Sequence, residues 1–148
     1  MSPLDTTRIS QRCERIEELC GELERARDLE LNAFLANSDA LAATERRLQI
    51  AIQSAIDIAA HVAAARGWAV PEGYAATFDV LAKRGVLDGA LAGQMRKAAG
   101  LRNALVHDYL DIDPARLHAS LAGDIDDLRS FVGAVSRYLW DGGGPPST

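Results

Sequence analysis

The chain contains only two cysteines, Cys13 and Cys20, which limits the chemistry open to it. Their spacing matches neither a CxxC motif nor a zinc site, so we expect reduced thiols on one helical face, without a metal or redox role. No apolar run reaches the ~18 uncharged residues expected of a transmembrane helix, and the first ten residues lack a hydrophobic signal core. We therefore expect a soluble cytoplasmic protein that has no membrane partner.

Excess positive charge is also missing, since the formal net charge is −5. This balance argues against a protein that coats nucleic acid by bulk electrostatic attraction. It leaves room for a local basic site, because Arg96, Lys97 and Arg102 fall in a stretch without acidic residues. Arg96 and Lys97 also fit a simpler interpretation, in which they lie on a solvated helix face.

Aromatic residues make up only 5% of the chain, and no segment shows the alternation of a β-strand. Alanine and leucine dominate instead, and both favour helices. The pattern predicts an all-α, up-down bundle of about five helices in one domain, residues 1–141, followed by a disordered tail, residues 142–148. The predicted helices are residues 4–30, 39–66, 71–85, 89 to 107 or 109, and 114 to about 139.

Capping residues set several of these limits. Asn37, Ser38 and Asp39 are each suited to precede the long second helix, and Gly67 is suited to end it. Asp88 is a suitable cap for the fourth helix. Asp113 and Pro114 form a cap and first-turn pair for the fifth.

The long helix carries a polar stripe on an otherwise apolar surface. Gln49, Gln53, Asp57 and His61 are spaced four apart and therefore share one face, on which Asp57 and His61 are able to pair. The simpler interpretation is a stripe that faces water or is satisfied by hydrogen bonds, and the alternative is a dimer interface or the floor of a site. The sequence does not separate these alternatives.

Arg102 occupies an unusual position in the fourth helix, inside its apolar stripe. A buried guanidinium is unfavourable unless it has a partner. That partner is an internal carboxylate such as Asp57, Asp108 or Asp111, a set of carbonyls, or an external anion such as phosphate. A snorkelling side chain is the simpler alternative. The apolar stripe around it consists of Leu91, Met95, Ala98, Leu105 and Val106.

His107 lies on another face, about 140° round an ideal helix from Arg102. The two converge only if the helix unwinds near Val106 or if two copies pair across a two-fold axis. Histidine exchanges protons near neutral pH and arginine stabilises a developing phosphorane charge, so together they suit RNA transesterification without metal. Asn103 is placed to orient the histidine or bind a phosphate oxygen. DNA lacks the internal 2′-hydroxyl nucleophile. The simpler alternatives are a helix-capping histidine and, for Tyr109, an anchored core aromatic.

The segment RNALVHDY, residues 102–109, resembles the Arg-x4-His-x-Tyr motif of HepT toxins, a branch of the HEPN family of helical ribonucleases. The flanking segments ERRLQIAIQSAIDIAAHV, WAVPEGYAATFDVLAKRGVLD and YLDIDPARL are similar to HepT-like proteins in order and spacing. The resemblance covers residues 43 to about 128 and is looser over residues 4–42.

The resemblance implies a HEPN bundle that forms homodimers and cleaves RNA as a toxin. Arg102 would clamp the transition state, His107 would be the acid and base, and Asn103 would be a positioning residue. The implied partner is a nucleotidyltransferase antitoxin of the MntA type, which silences the nuclease by transferring AMP to Tyr109. Added phosphates and bases would obstruct RNA by charge and volume. The remaining candidate cleft residues are Asp57, His61 and Lys97, and no metal or other cofactor is expected.

Two alternatives remain open for the function. The same bundle would serve as a non-catalytic adaptor for the nucleotidyltransferase if Arg102 only held a nucleotide phosphate. It would be a purely structural helical dimer if Arg102 were held in an internal salt bridge.

Overall fold

The computed structural model describes residues 4–70, 72–107 and 112–141. Within these ranges the regular structure is entirely helical, which confirms the predicted fold class. The helices are α1 (Thr6–Asp28), α2 (Leu31–Leu35), α3 (Ser38–Arg66), α4 (Tyr74–Lys83), α5 (Gly89–His107) and α6 (Pro114–Trp140). The predicted disordered tail, residues 142–148, lies outside the described residues.

The predicted capping residues mark most of these helix ends. Asn37 Oδ1 accepts a hydrogen bond from the Ala40 backbone N–H at 3.0 Å and so begins α3. Gly67 ends α3 with a φ of 70°, in the left-handed region that glycine adopts without strain. Asp113 caps α6 in the same way as Asn37 caps α3, through a 3.0 Å bond from Ala115 N–H.

The structure differs from the predicted helices in two places. The segment before Asn37 contains an additional short helix, α2, so the described helices number six and not five. It forms because Phe34 is completely buried and its ring lies 4.8 Å from that of His118 on α6, a long-range contact that periodicity does not reveal. In addition, α4 begins at Tyr74 and not near Pro71, which lies outside the described residues.

The central helix is α3, which packs against every other helix of the bundle. By length and composition α3 is apolar enough to cross a membrane. Most of that apolar stretch is buried among the other helices, however, as expected for the core helix of a bundle.

Side-chain contacts fix the directions of the helices. Arg47 on α3 pairs with Glu22 on α1 at 2.9 Å, and His61 meets Asp5 at the opposite end, so α1 and α3 are antiparallel. α5 packs on α3, α4 and α6. Its C-terminal half, which carries the described part of the predicted motif, borders the start of α4, where Arg102 meets Tyr74.

Candidate functional site

The C-terminal half of α5 borders a pocket of about 690 Å³, which we call the Arg102 pocket. The sequence-predicted residues Arg102, Asn103 and His107 all line it. α5 remains helical through His107, which excludes unwinding near Val106, one of the two alternatives considered for bringing Arg102 and His107 together. Arg102 and His107 instead line the same pocket from different positions around an intact helix. The complete lining is Tyr74, Gly100, Arg102, Asn103, Ala104, Val106 and His107.

Arg102 is half-buried and is held by neutral groups. Its Nη1 donates a hydrogen bond to Asn103 Oδ1 at 3.0 Å, and its guanidinium carbon lies 5.2 Å from the centre of the Tyr74 ring, within cation–π range. Its Nε is buried and has no hydrogen-bond partner among the described residues. Within those ranges no carboxylate forms an ion pair with Arg102. Among the described residues, therefore, no carboxylate neutralises the guanidinium beside the pocket.

Asp108 and Asp111, two of the internal partners considered for Arg102, lie outside the described residues, as does Tyr109. The third, Asp57, lies in a different part of the bundle. Asp57 is therefore excluded as the internal partner of Arg102 within the chain.

The apolar stripe of α5 does not continue to the end of the helix. Met95 is completely buried and Ala99 nearly so, but Val106 is 37% exposed and lines the pocket. Placing Val106 on the core-facing stripe was wrong, because the last two turns of α5 are covered less closely than its middle. This thinning of the core is what opens the pocket around Arg102.

Asp57 and His61 line a separate groove of about 390 Å³ between α1 and α3, beside Arg8 and Arg12. They do not pair with each other as predicted. Asp57 Oδ1 accepts from Gln53 Nε2 at 2.9 Å, and His61 Nε2 accepts from the Asp5 backbone N–H at 3.0 Å. Neither residue lines the Arg102 pocket, because this part of the polar stripe faces α1, which packs on α3.

Lys97 is exposed on α5 and does not line the Arg102 pocket. Burial raises the pKa of Asp127 on α6, and the hydrogen bond from Gln94 and, to a smaller extent, the Lys97 ammonium oppose that rise. No set of three or more His, Cys, Asp or Glu side chains in the described ranges is grouped as metal ligands would be.

Tyr74 is the pocket residue that the sequence did not reveal. It is the first residue of α4 and is 45% exposed, although aromatic residues are scarce in this chain. Scarcity is the one signal that marks it, since nothing in the local pattern connects it with Arg102.

The bundle has the HEPN fold. The solved structure of the tri-AMPylated Shewanella oneidensis HEPN toxin in complex with MNT antitoxin matches it with a TM-score of 0.82. The match covers 89% of this chain and 98% of that one at 20% sequence identity. At this identity the likeness establishes the fold alone.

Sequence comparison defines the family. The profile described as Ribonuclease HepT-like matches residues 9–135, and the chain belongs to that family. It is 30% identical over 139 residues to the tRNA nuclease HepT of Aphanizomenon flos-aquae, covering 94% of this chain and 95% of the relative. It is also 26% identical over 88 residues to the mRNA nuclease HepT of Shewanella oneidensis, covering 60% of this chain and 66% of that one. The resemblance of RNALVHDY and its flanks to HepT toxins is thereby confirmed at the level of the family.

Proposed function

We propose that this protein is a metal-independent endoribonuclease toxin whose active site is the Arg102 pocket, completed by a second copy of the chain. The observation that carries the proposal is the meeting of Arg102, Asn103 and His107 around one pocket in a HepT-like chain. The relatives named as tRNA and mRNA nucleases support RNA as the substrate. We expect the protein to act in the cytoplasm, where such RNA is found.

The chemistry needs only the RNA and this chain's own side chains. The 2′-hydroxyl oxygen attacks the adjacent phosphorus and the 5′-oxygen leaves, which gives a 2′,3′-cyclic phosphate and a free 5′-hydroxyl. His107 takes the proton of the attacking hydroxyl or delivers one to the leaving oxygen. Arg102 stabilises the extra negative charge on the pentacoordinate phosphorus, and its bond to Asn103 helps to orient the guanidinium.

A dimer supplies one histidine as the general base and another as the general acid. Within one chain Arg102 and His107 project from positions about 140° apart on α5, which suits a shared pocket better than a single point of attack. Two-fold pairing of the pocket would bring two histidines and two arginines to one cleft, so that one histidine acts as base and the other as acid.

The experiment is incubation of purified, unmodified protein with total RNA in the presence of a chelator. We expect cleavage that leaves 2′,3′-cyclic ends, and its loss in Arg102→Ala and His107→Ala variants that keep the wild-type melting temperature. Arg84→Ala is the matched control, because Arg84 also lies over an aromatic ring, 5.5 Å from the centre of Trp68, but far from the pocket lining. Protein that binds ATP or oligonucleotide and leaves RNA intact would instead be the non-catalytic adaptor.

We further propose that a nucleotidyltransferase antitoxin silences the nuclease at Tyr109. The Tyr109 phenol oxygen would attack the α-phosphorus of ATP, release pyrophosphate and lose its proton. The solved complex of an AMPylated HEPN toxin with its MNT antitoxin supports this partner. Co-expression with the antitoxin should raise the mass of the Tyr109 peptide in steps of one AMP, and a Tyr109→Phe variant should stay unmodified and toxic. An unchanged peptide mass beside an active antitoxin would contradict the regulatory proposal alone.

A further inference from the structure

We infer that Tyr74 is a positioning residue for the nuclease, which holds the Arg102 guanidinium in the direction that phosphate binding requires. This inference rests on the proposed function and assigns a role to a residue outside the RNALVHDY motif. It follows from the contact between the Tyr74 ring and Arg102, from the anchoring of α4, and from the few other contacts that restrain Arg102.

The contact belongs to a regular helix–helix interface and is not an isolated encounter of two surface side chains. α4 packs mainly on α5. Asp79 Oδ2 lies 3.5 Å from Arg96 Nε, and one and a half turns away Tyr74 meets Arg102. Both pairs fit a single antiparallel register, in which each step forward along α4 is a step backward along α5. The position of Tyr74 against Arg102 is thus fixed by the packing of two whole helices.

The second turn of α4 is anchored in the core. Phe78 lies one turn after Tyr74 on the same face, is completely buried, and meets the Phe131 ring edge-on at 5.7 Å. Before Tyr74, Gly73 has a φ of 103°, a backbone conformation that other L-residues rarely adopt, and it brings the chain into the helix. Tyr74 is therefore an exposed ring one turn before a residue that is buried in the core.

Arg102 needs the contact with Tyr74 because it has few other restraints. Among the described residues its only side-chain hydrogen bond goes from Nη1 to Asn103 Oδ1, while Nε is buried without a partner. One hydrogen bond at Nη1 does not by itself fix the orientation of the guanidinium plane. Attraction between the cation and the ring face restricts that orientation, and it does not consume the in-plane N–H groups that bind phosphate oxygens.

The test compares Tyr74→Leu with Tyr74→Phe. Leucine removes the aromatic face and phenylalanine keeps it, so only leucine should release Arg102. We expect Tyr74→Leu to lower kcat for a short RNA about ten- to a hundredfold with little change in KM, since misplacing a catalytic group by ~1 Å has an effect of that size. Tyr74→Phe should retain nearly wild-type kcat. Arg84→Met, which removes the similar contact with Trp68, should leave both constants unchanged.

A second readout needs no catalysis. The Nε–Hε resonance of Arg102, assigned by its loss in Arg102→Lys, should move in Tyr74→Leu and stay near its wild-type position in Tyr74→Phe, because the ring current of the aromatic face acts on it. Melting temperatures should be nearly unchanged in both variants, as Tyr74 is half-exposed.

Each other outcome overturns the inference. Wild-type kcat in Tyr74→Leu means that Arg102 is positioned without the ring, and equal losses in both variants mean that the hydroxyl acts instead. A raised KM with unchanged kcat means that the ring binds an RNA base. If the wild-type protein itself leaves RNA intact, the proposed function fails together with this role, and the resonance measurement then reports only whether the contact exists in solution.

Discussion

Replacement of Arg102 by methionine should separate catalysis from stability. Methionine keeps an unbranched apolar stem and removes the guanidinium. If Arg102 is a catalytic group, RNA cleavage by the variant should fall about 10²–10³-fold, which is the usual effect of deleting one donor to a developing oxyanion. We also expect that the free energy of unfolding hardly changes, because the described residues offer the guanidinium one hydrogen bond and no ion pair.

The size of the stability change follows from the contacts of Arg102. Removing the buried Nε–H, which has no partner among the described residues, relieves about 1–3 kcal/mol of desolvation. Losing the contact with Tyr74 costs about 0.5–1 kcal/mol, and losing the hydrogen bond to Asn103 costs about 0.5–1.5 kcal/mol. The relief of about 1–3 kcal/mol nearly offsets the summed cost of about 1–2.5 kcal/mol, so we expect a change near zero and of at most about 2 kcal/mol in either direction. For a chain of this size each 1 kcal/mol corresponds to a shift in melting temperature of about 2–4 °C.

The assay is urea unfolding followed by circular dichroism, at one fixed protein concentration because dimerisation would add to the apparent stability. Cleavage of a short RNA is measured on the same preparations, with Arg84→Met as the control. A loss of more than about 2 kcal/mol would refute the reasoning, because it would show that Arg102 holds the fold together. Cleavage at the wild-type rate would refute the catalytic assignment directly.

Two further predictions concern packing and thiol chemistry. Met95→Ala should lower the free energy of unfolding by about 2–5 kcal/mol in urea titrations, since Met95 is 0% exposed. Val106→Ala on the same helix should lower it by less than about 1 kcal/mol, because Val106 is 37% exposed. Equal losses would contradict the observed burial along α5. Burial, aided by the Glu17 carboxylate, raises the pKa of the Cys13 thiol to about 11. At pH 8 the thiolate form of Cys13 is therefore scarce. Mass spectrometry should show that iodoacetamide modifies Cys13 in the folded protein about a hundredfold more slowly than in the isolated peptide. Equal rates would contradict the raised pKa.

Short-range sequence patterns predict much of the fold. The caps at Asn37, Gly67 and Asp113 act within three or four residues of their own positions, so the sequence predicted where α3 and α6 begin or end. The short helix α2 escaped prediction for the opposite reason. Its stability depends on the burial of Phe34 against His118, a residue far along the chain, and five residues carry no periodic signal of their own.

The polar stripe of α3 shows where pattern stops being sufficient. Its spacing placed Asp57 and His61 on one face, but it did not reveal what that face meets. The packing of α1 gives His61 a backbone N–H from Asp5 as its partner, and it turns Asp57 toward Gln53. A side chain with several possible partners is assigned to one of them only when the helices dock.

The candidate site divides in the same way. Arg102, Asn103 and His107 lie within two turns of a single helix, so the sequence by itself determined their grouping, their chemistry and their resemblance to HepT toxins. Tertiary structure alone decided that Tyr74 lies beside Arg102, that Val106 leaves the core, and that Asp57, His61 and Lys97 face elsewhere. The reason is that helical spacing fixes the relations of residues a few positions apart, whereas contacts between helices depend on which faces the whole bundle buries.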